Sequence, residues 1–260
     1  MDLGLKDKVV VVTGSTGGIG NAIVEAFLRE GARVACTSTR QEKLDNFLPK
    51  LDLPEDRVKG YVVDVRKEDE VEAAMKKIAE DFGGIDILVP NAGYNGDAAF
   101  VKDATDENWR NVFDINVFGV LYAMKHAIPY ILKNDWGSIV AIGSEGSYVG
   151  SPAMSHYCAS KHAVMGLIMS AATEVGPEGI HCNFVAPSAV DTDMMRRIEK
   201  NIFGDTKTPE EAERFFADDT LDKRYAKVDE VADLTVYLAS KNAAHIMGYG
   251  VRIDGGKHIQ

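Results

Sequence analysis

The chain has 260 residues, 45% of them hydrophobic and 27% charged, with a formal net charge of −11. That composition is ordinary for a soluble globular protein of single-domain size, and its acidity argues against nucleic acid or an anionic membrane surface as a partner, since both are bound through basic patches. No apolar run approaches the ~18 residues of a membrane span, no N-terminal apolar segment suggests export, and Cys36, Cys158 and Cys182 lack C-x-x-C spacing, so unpaired thiols in a cytoplasmic setting are expected.

The first predicted element is a buried strand from Lys8 to Val12, too apolar to face water on either side. It runs into Thr13-Gly14-Ser15-Thr16-Gly17-Gly18-Ile19-Gly20, then an amphipathic stretch from Asn21 to Glu30 that stops at Gly31. Strand, glycine-rich turn, helix and terminal glycine follow one another. Glycines let backbone N–H groups approach a pyrophosphate, and a helix N-terminus favours its charge. Strands are expected near 8–13, 33–38, 58–64, 85–89, 137–143, 181–186 and 249–253. Helices are expected near 18–30, 40–48, 67–82, 106–133, 155–176 and 228–240. Such alternation predicts one α/β domain over 1–260, a doubly wound, mainly parallel seven-stranded sheet with helices on both faces. A ligand then belongs at the carboxyl ends of the strands, where Gly14, Asp64, Asn91, Ser144 and Pro187 fall.

At the end of the second strand stand Ser38, Thr39 and Arg40, with no carboxylate to accept from a ribose 2′-OH. Small hydroxyls and a guanidinium suit a 2′-phosphate; otherwise Arg40 simply opens a solvated helix. Further on, Tyr157 and Lys161 are spaced i, i+4 and share a helix face. A cation so close favours phenolate and draws a tyrosine pKa from about 10 toward neutrality, so the phenol can exchange a proton with a carbonyl or alcohol. By itself the pair could equally be an aromatic ring beside a lysine stem. Alternation breaks from Asp191 to Tyr225, where Met194, Met195, Ile198 and Ile202 recur at helical spacing. Thr208-Pro209-Glu210-Glu211 reads as a capping box, with Phe215 and Phe216 on the helix that follows. The apolar face of this insertion either packs on the core or forms a lid whose methionines adapt to a bulky hydrophobic substrate.

Taken together, these motifs resemble the short-chain dehydrogenase/reductase family, with its single Rossmann domain. The family's T-G-x-x-x-G-x-G is met by Thr13, Gly14, Gly18 and Gly20, its N-A-G by Asn91-Ala92-Gly93, and its central-helix asparagine by Asn116. Its serine, tyrosine and lysine match Ser144, Tyr157 and Lys161, and its proline segment matches Pro187-Ser188-Ala189-Val190-Asp191-Thr192. Two departures stand out: Pro90 replaces a second asparagine, and Ser188 stands where a glycine commonly follows the proline.

The resemblance implies reversible hydride transfer between a nicotinamide and a secondary alcohol or ketone. Tyr157 would exchange the proton, Ser144 would donate to the substrate oxygen, Lys161 would bond the nicotinamide ribose, and Asn116 would hold a water linking Lys161 to solvent. Dinucleotide contacts are expected from Gly14, Ser15, Thr16, Gly18, Ile19, Gly20, Ser38, Thr39, Arg40, Asp64, Val65, Asn91, Ala92, Gly93, Tyr157, Lys161, Pro187, Val190 and Thr192. NADP is expected over NAD, although Thr16 stands where NADP-preferring relatives often carry a base. Ser144, Tyr157, Met194 and Met195 are the expected substrate contacts, and no metal is expected. The expected substrate is an apolar, bulky, cyclic or hydroxysteroid-like alcohol or ketone; the alternatives are a 3-oxoacyl thioester on an acyl-carrier protein, or a non-catalytic dinucleotide sensor. A homotetramer is expected through Val112, Val120 and Ala123, with Met165, Met169 and Ala172, and through a final strand at Val251 to Gly256.

Overall fold

The computed structural model describes residues 1–259. Seven strands form one sheet in the order β3-β2-β1-β4-β5-β6-β7: β1 Val9–Val12, β2 Arg33–Ser38, β3 Val58–Val62, β4 Ile87–Val89, β5 Gly137–Ile142, β6 Ile180–Pro187 and β7 Gly250–Ile253. Every strand pairing is parallel, so each strand must return through a crossover over one face of the sheet. The crossovers are α1 Gly18–Arg29, α2 Gln41–Phe47, α3 Glu68–Phe82, α4 Asp106–Phe113, α5 Gly119–Ile131, α6 Ser155–Val175 and α9 Val228–Leu238. The predicted single α/β domain and strand set are therefore present, with boundaries shifted by a residue or two.

Strand periodicity splits the core in two. Val10 and Val12 of β1 pack on one face with Ile23, Phe27, Val34 and Val231, while Val9 and Val11 pack on the other with Met75, Ile78, Leu88 and Ile168. Both faces being covered is why β1 is a continuous valine run rather than an alternating strand. Val12 pairs with Cys36 and Val89, which aligns the carboxyl ends of the central strands along one edge.

The continuous helix expected over 106–133 is interrupted. A wider π-helical turn spans Asp114–Phe118 between α4 and α5, and such single turns recur at functional sites. It carries the fully buried Asn116. Val112, Val120, Ala123 and Ala172, expected to meet a partner subunit, instead pack inside their own core. Apolar side chains left exposed on this side are Phe118, Leu121 and Met169.

The insertion folds as two helices, α7 Asp193–Phe203 and α8 Pro209–Ala217. Thr208 and Glu211 form the capping box read from the sequence. Its base is pinned where Asp191 N–H donates to Ala226 O at 3.1 Å and Ala226 N–H to Ala189 O at 2.9 Å. Among the described residues, no helix is long and apolar enough to cross a membrane, and the three cysteines are unpaired and buried.

Candidate active site

A cavity of about 860 Å³ opens at the carboxyl ends of the strands, between the glycine turn, the N-terminal half of α6 and the insertion. Its floor is set by the turn after β1. Gly14 has φ +62, and a Cβ there would lie 2.8 Å from Ala92 Cα; one on Gly18 would lie 2.8 Å from Thr192 Cγ2. Only glycine fits both places. Thr13 Oγ1 accepts from the backbone N–H of Asn91 at 3.0 Å and of Ala92 at 3.1 Å, and Asn91 Nδ2 donates to the carbonyls of Thr13 and Gly14 at 3.0 Å each. The end of β4 is thus bolted to the turn. Pro90 needs no donor in this arrangement: it accepts from Ile142 N–H at 2.9 Å. The helix α1 begins at Gly18 with no side-chain cap, so its first N–H groups face the cavity as an anion site. Glycine cradle and uncapped helix together fit a dinucleotide pyrophosphate.

The wall opposite carries the proton chemistry. Ser144 stands two residues past the end of β5, is 9% exposed, and its Oγ accepts from Gly146 N–H at 3.1 Å. Tyr157 and Lys161 lie in α6, with Lys161 Nζ 5.7 Å from the Tyr157 ring centre. The i, i+4 proximity is as expected; the electrostatics are not. Burial pushes the Tyr157 phenol up to about 12, opposed by its interaction with Ser144. Burial also draws Lys161 down to about 8. Desolvation is the largest cause of both shifts, and neither group contributes to the other's; Lys161 also spends a donor on Ile142 O at 2.8 Å. The lowered phenol read from spacing alone is therefore not a property of the free protein.

Asn116 lies behind this wall rather than on it. Its Oδ1 accepts from Tyr94 N–H at 2.8 Å, and its Nδ2 donates to Tyr94 O and Ser160 Oγ at 2.9 Å each. Ser160 Oγ in turn donates to Tyr157 O at 2.7 Å. The side chain ties the loop after β4 to the first turns of α6, and so sets where Tyr157 stands.

Of the expected contacts, Ser15, Arg40 and Asn116 do not line the cavity, and the rest do. Ser15 is buried with its hydroxyl donating to Thr37 O at 3.0 Å. Arg40 is exposed at the start of α2, in extended conformation. The basic residues lining this end are Lys43, in the first turn of α2, and Arg66, the latter paired with Asp64 at 2.6 Å. That pairing holds the Asp64 carboxyl below its usual value. Thr16 and Ser38 share a hydroxyl–hydroxyl bond of 3.0 Å.

The insertion supplies an apolar wall of Met194, Met195, Ile198, Ile202 and Phe216. Met195 is buried with Ala217 and Tyr225, so this face both packs inward and lines the cavity. Neither arginine of α7 reaches in. Arg196 pairs with Asp191 at 2.7 Å and with Glu199 at 2.9 Å, and stacks on Tyr225. Arg197 donates to Asn95 Oδ1 and lies 4.8 Å over the Tyr94 ring. Tyr94, Glu145, Lys257 and His258 also line the cavity; Tyr94 and Glu145 adjoin the motif residues Gly93 and Ser144 and could have been found by adjacency, whereas only the fold brings Lys257 and His258 there. Among the described residues, no group of three or more His, Cys, Asp and Glu is set to hold a metal ion.

Comparison with known proteins places this geometry. The family model for short chain dehydrogenases matches residues 8–202. A 3-oxoacyl-acyl-carrier-protein reductase of Thermotoga maritima is 32% identical over 97% of this chain and 98% of its own length. Zerumbone synthase of Zingiber zerumbet is 35% identical over 98% and 96%. The solved structure of a levodione reductase superposes with a TM-score of 0.92 at 31% identity, covering 97% of this chain and 98% of that one.

Proposed function

This chain belongs to the short-chain dehydrogenase/reductase family and is an NAD(P)-dependent oxidoreductase acting on a small molecule, and from that premise we propose that its substrate is a bulky, largely apolar, cyclic ketone or secondary alcohol. The observation that carries the reading is the wall of Met194, Met195, Ile198, Ile202 and Phe216 in the same cavity as Ser144 and Tyr157. Both α7 arginines are committed elsewhere, so no guanidinium clamp awaits a carboxylate or phosphate. Zerumbone synthase and levodione reductase, both similar to this chain, carry names consistent with such a substrate.

The nicotinamide, when bound, supplies the hydride acceptor or donor. The chain supplies position and protons. The glycine turn and the first N–H groups of α1 would hold the dinucleotide's pyrophosphate. Ser144 donates a hydrogen bond from its hydroxyl to the substrate oxygen, stabilising charge that develops there. Tyr157 gives the proton to that oxygen in reduction and takes it in oxidation. Lys161, buried beside it, stabilises by charge any phenolate that forms and would bond the ribose of a bound nicotinamide nucleotide. Asn116 positions the tyrosine through Ser160.

We assign NADP as the preferred cofactor. The end of β2 offers Ser38 and Thr39 without a carboxylate, and Lys43 on the cavity wall adds a cation to the neighbouring Arg40. The exposed Phe118, Leu121 and Met169 suit burial in a closed homotetramer. A second reading, reduction of 3-oxoacyl thioesters on a carrier protein, is favoured by the Thermotoga maritima relative. Against it, a net charge of −11 offers an acidic carrier no attractive field.

The test is turnover of cyclic ketones and acetoacetyl thioesters with both cofactors, by wild-type protein and Tyr157→Phe. The phenyl ring keeps the packing but carries no proton. The variant is expected to bind dinucleotide and lose turnover. Retention of more than about a tenth of kcat, less than about 1.4 kcal/mol of lost transition-state stabilisation, would remove Tyr157 from its role.

A further inference from the structure

The cavity wall facing the apolar insertion is charged, and its charges come from two distant parts of the chain. Glu145 follows Ser144 directly, while Lys257 and His258 come from the turn after β7; all three line the cavity. Lys257 Nζ stands 3.2 Å from Glu145 Oε2 and His258 Nε2 3.9 Å from the same oxygen. His258 Nδ1 is held 3.2 Å from Asp254 Oδ2, and Lys257 N–H donates to Asp254 O at 3.0 Å. The tail is thus anchored by Asp254, which is 8% exposed, with its two basic side chains turned to Glu145. Glu145 Oε2 is itself buried, and although Lys257 pairs with it in charge, it has no hydrogen-bond partner of acceptable geometry. Lys257 and His258 lie beyond residues 8–202, the stretch the family model matches.

We infer that the Glu145–Lys257–His258 cluster recognises a second hydroxyl group on the substrate, so that this enzyme works on a hydroxyketone or diol rather than on a plain ketone or alcohol. The inference rests on the oxidoreductase reading of this cavity and narrows its substrate. A lone cation would select a carboxylate and a lone anion an amine. Here acceptor and donors stand side by side, and each repels the ion the other would attract. A neutral hydroxyl suits both: it donates to the part of the Glu145 carboxylate that lines the cavity while accepting from Lys257 or His258. A carbonyl could engage only the donors and would leave the Glu145 carboxylate without a partner on the substrate. Because Glu145 is next in sequence to Ser144, the hydroxyl belongs to the reacting molecule itself and not to a remote carrier. The apolar wall opposite then holds the carbon skeleton.

Two measurements test this. The first is kcat/KM of the wild-type protein with NADPH for cyclohexanone against its 2-, 3- and 4-hydroxy derivatives. At least one isomer is expected to be favoured by about tenfold or more, the discrimination a polar site exerts when its partner is missing. In Lys257→Met and in Glu145→Gln/Lys257→Met that ratio is expected to fall at least about fivefold. A wild-type ratio below about threefold for every isomer, or a ratio unchanged in both variants, overturns the inference. The second needs no variant and no turnover. Cyclohexanol and the 1,2-, 1,3- and 1,4-cyclohexanediols are titrated calorimetrically into the wild-type protein saturated with NADPH, and at least one diol is expected to bind at least about fivefold tighter than cyclohexanol; equal binding of all of them overturns the inference. Tighter diol binding with no turnover of any ketone would instead remove the oxidoreductase reading. Turnover of cyclohexanone without hydroxyl preference removes only the narrowing.

Discussion

Replacing Lys161 with Met should make the protein more stable while removing its catalysis. Lys161 is 5% exposed, and burial brings its ammonium from 10.5 down to about 8. Below about pH 8 the folded protein therefore carries a desolvated charge that the unfolded chain keeps in water. At about 1.4 kcal/mol per pKa unit, the cost at pH 7 is about 3 kcal/mol. Methionine has similar length and no charge, but gives up the bond to Ile142 O at 2.8 Å, worth about 1–2 kcal/mol. The net gain at pH 7 is about 1–2 kcal/mol. Between about 8 and 10.5 the unfolded chain binds a proton that the folded one does not, so the lysine penalty shrinks as pH rises and vanishes above 10.5. The stability difference between variant and wild type should thus fall by about 2–3 kcal/mol from pH 7 to pH 10. Denaturant unfolding of both proteins at the two pH values, without dinucleotide, measures it. A variant less stable than wild type at pH 7, or a difference independent of pH, refutes the argument. Turnover with any ketone should drop at least about a hundredfold, since no cation remains beside Tyr157.

Three further outcomes are expected. Calorimetry should show NADP bound tighter than NAD, with Lys43→Ala weakening NADP about tenfold and leaving NAD nearly unchanged; tighter NAD binding by wild type would reverse the assignment. Phe216→Ala should shift kcat/KM between a bulky and a small ketone by about 1–3 kcal/mol against the bulky one, and equal losses for both would deny the insertion a role in selection. Sedimentation at micromolar concentration should give four times the 28.3 kDa of one chain, and Leu121→Glu, at the exposed face of α5, should reduce it; a monomer would refute the assembly.

The parts of this site that were legible in the sequence are those that a short stretch builds by itself. A valine run flowing into glycines could only be a covered strand entering a tight turn, and Gly14, Gly18 and Gly20 are on the cavity as expected. What was hidden depends on tertiary placement. The wide turn at Asp114–Phe118 left no mark, because no glycine or proline from 106 to 118 interrupts the helical pattern there. Arg40 was expected at the dinucleotide, but α2 begins one residue later and directs Lys43 to the cavity instead. Spacing showed that Lys161 would neighbour Tyr157, yet not that burial would dominate both ionisations. Lys257 and His258 carried no signal: they reach the site only because β7 docks beside β6, with Phe184 opposite Gly250.

That last arrangement makes the seating of one edge strand a determinant of selectivity. Lys257 and His258 line the cavity from the turn after β7, and within the sheet β7 pairs with β6 alone. A substitution that loosens this pairing, far from Tyr157, should therefore change which ketones are preferred before it changes kcat for the best of them.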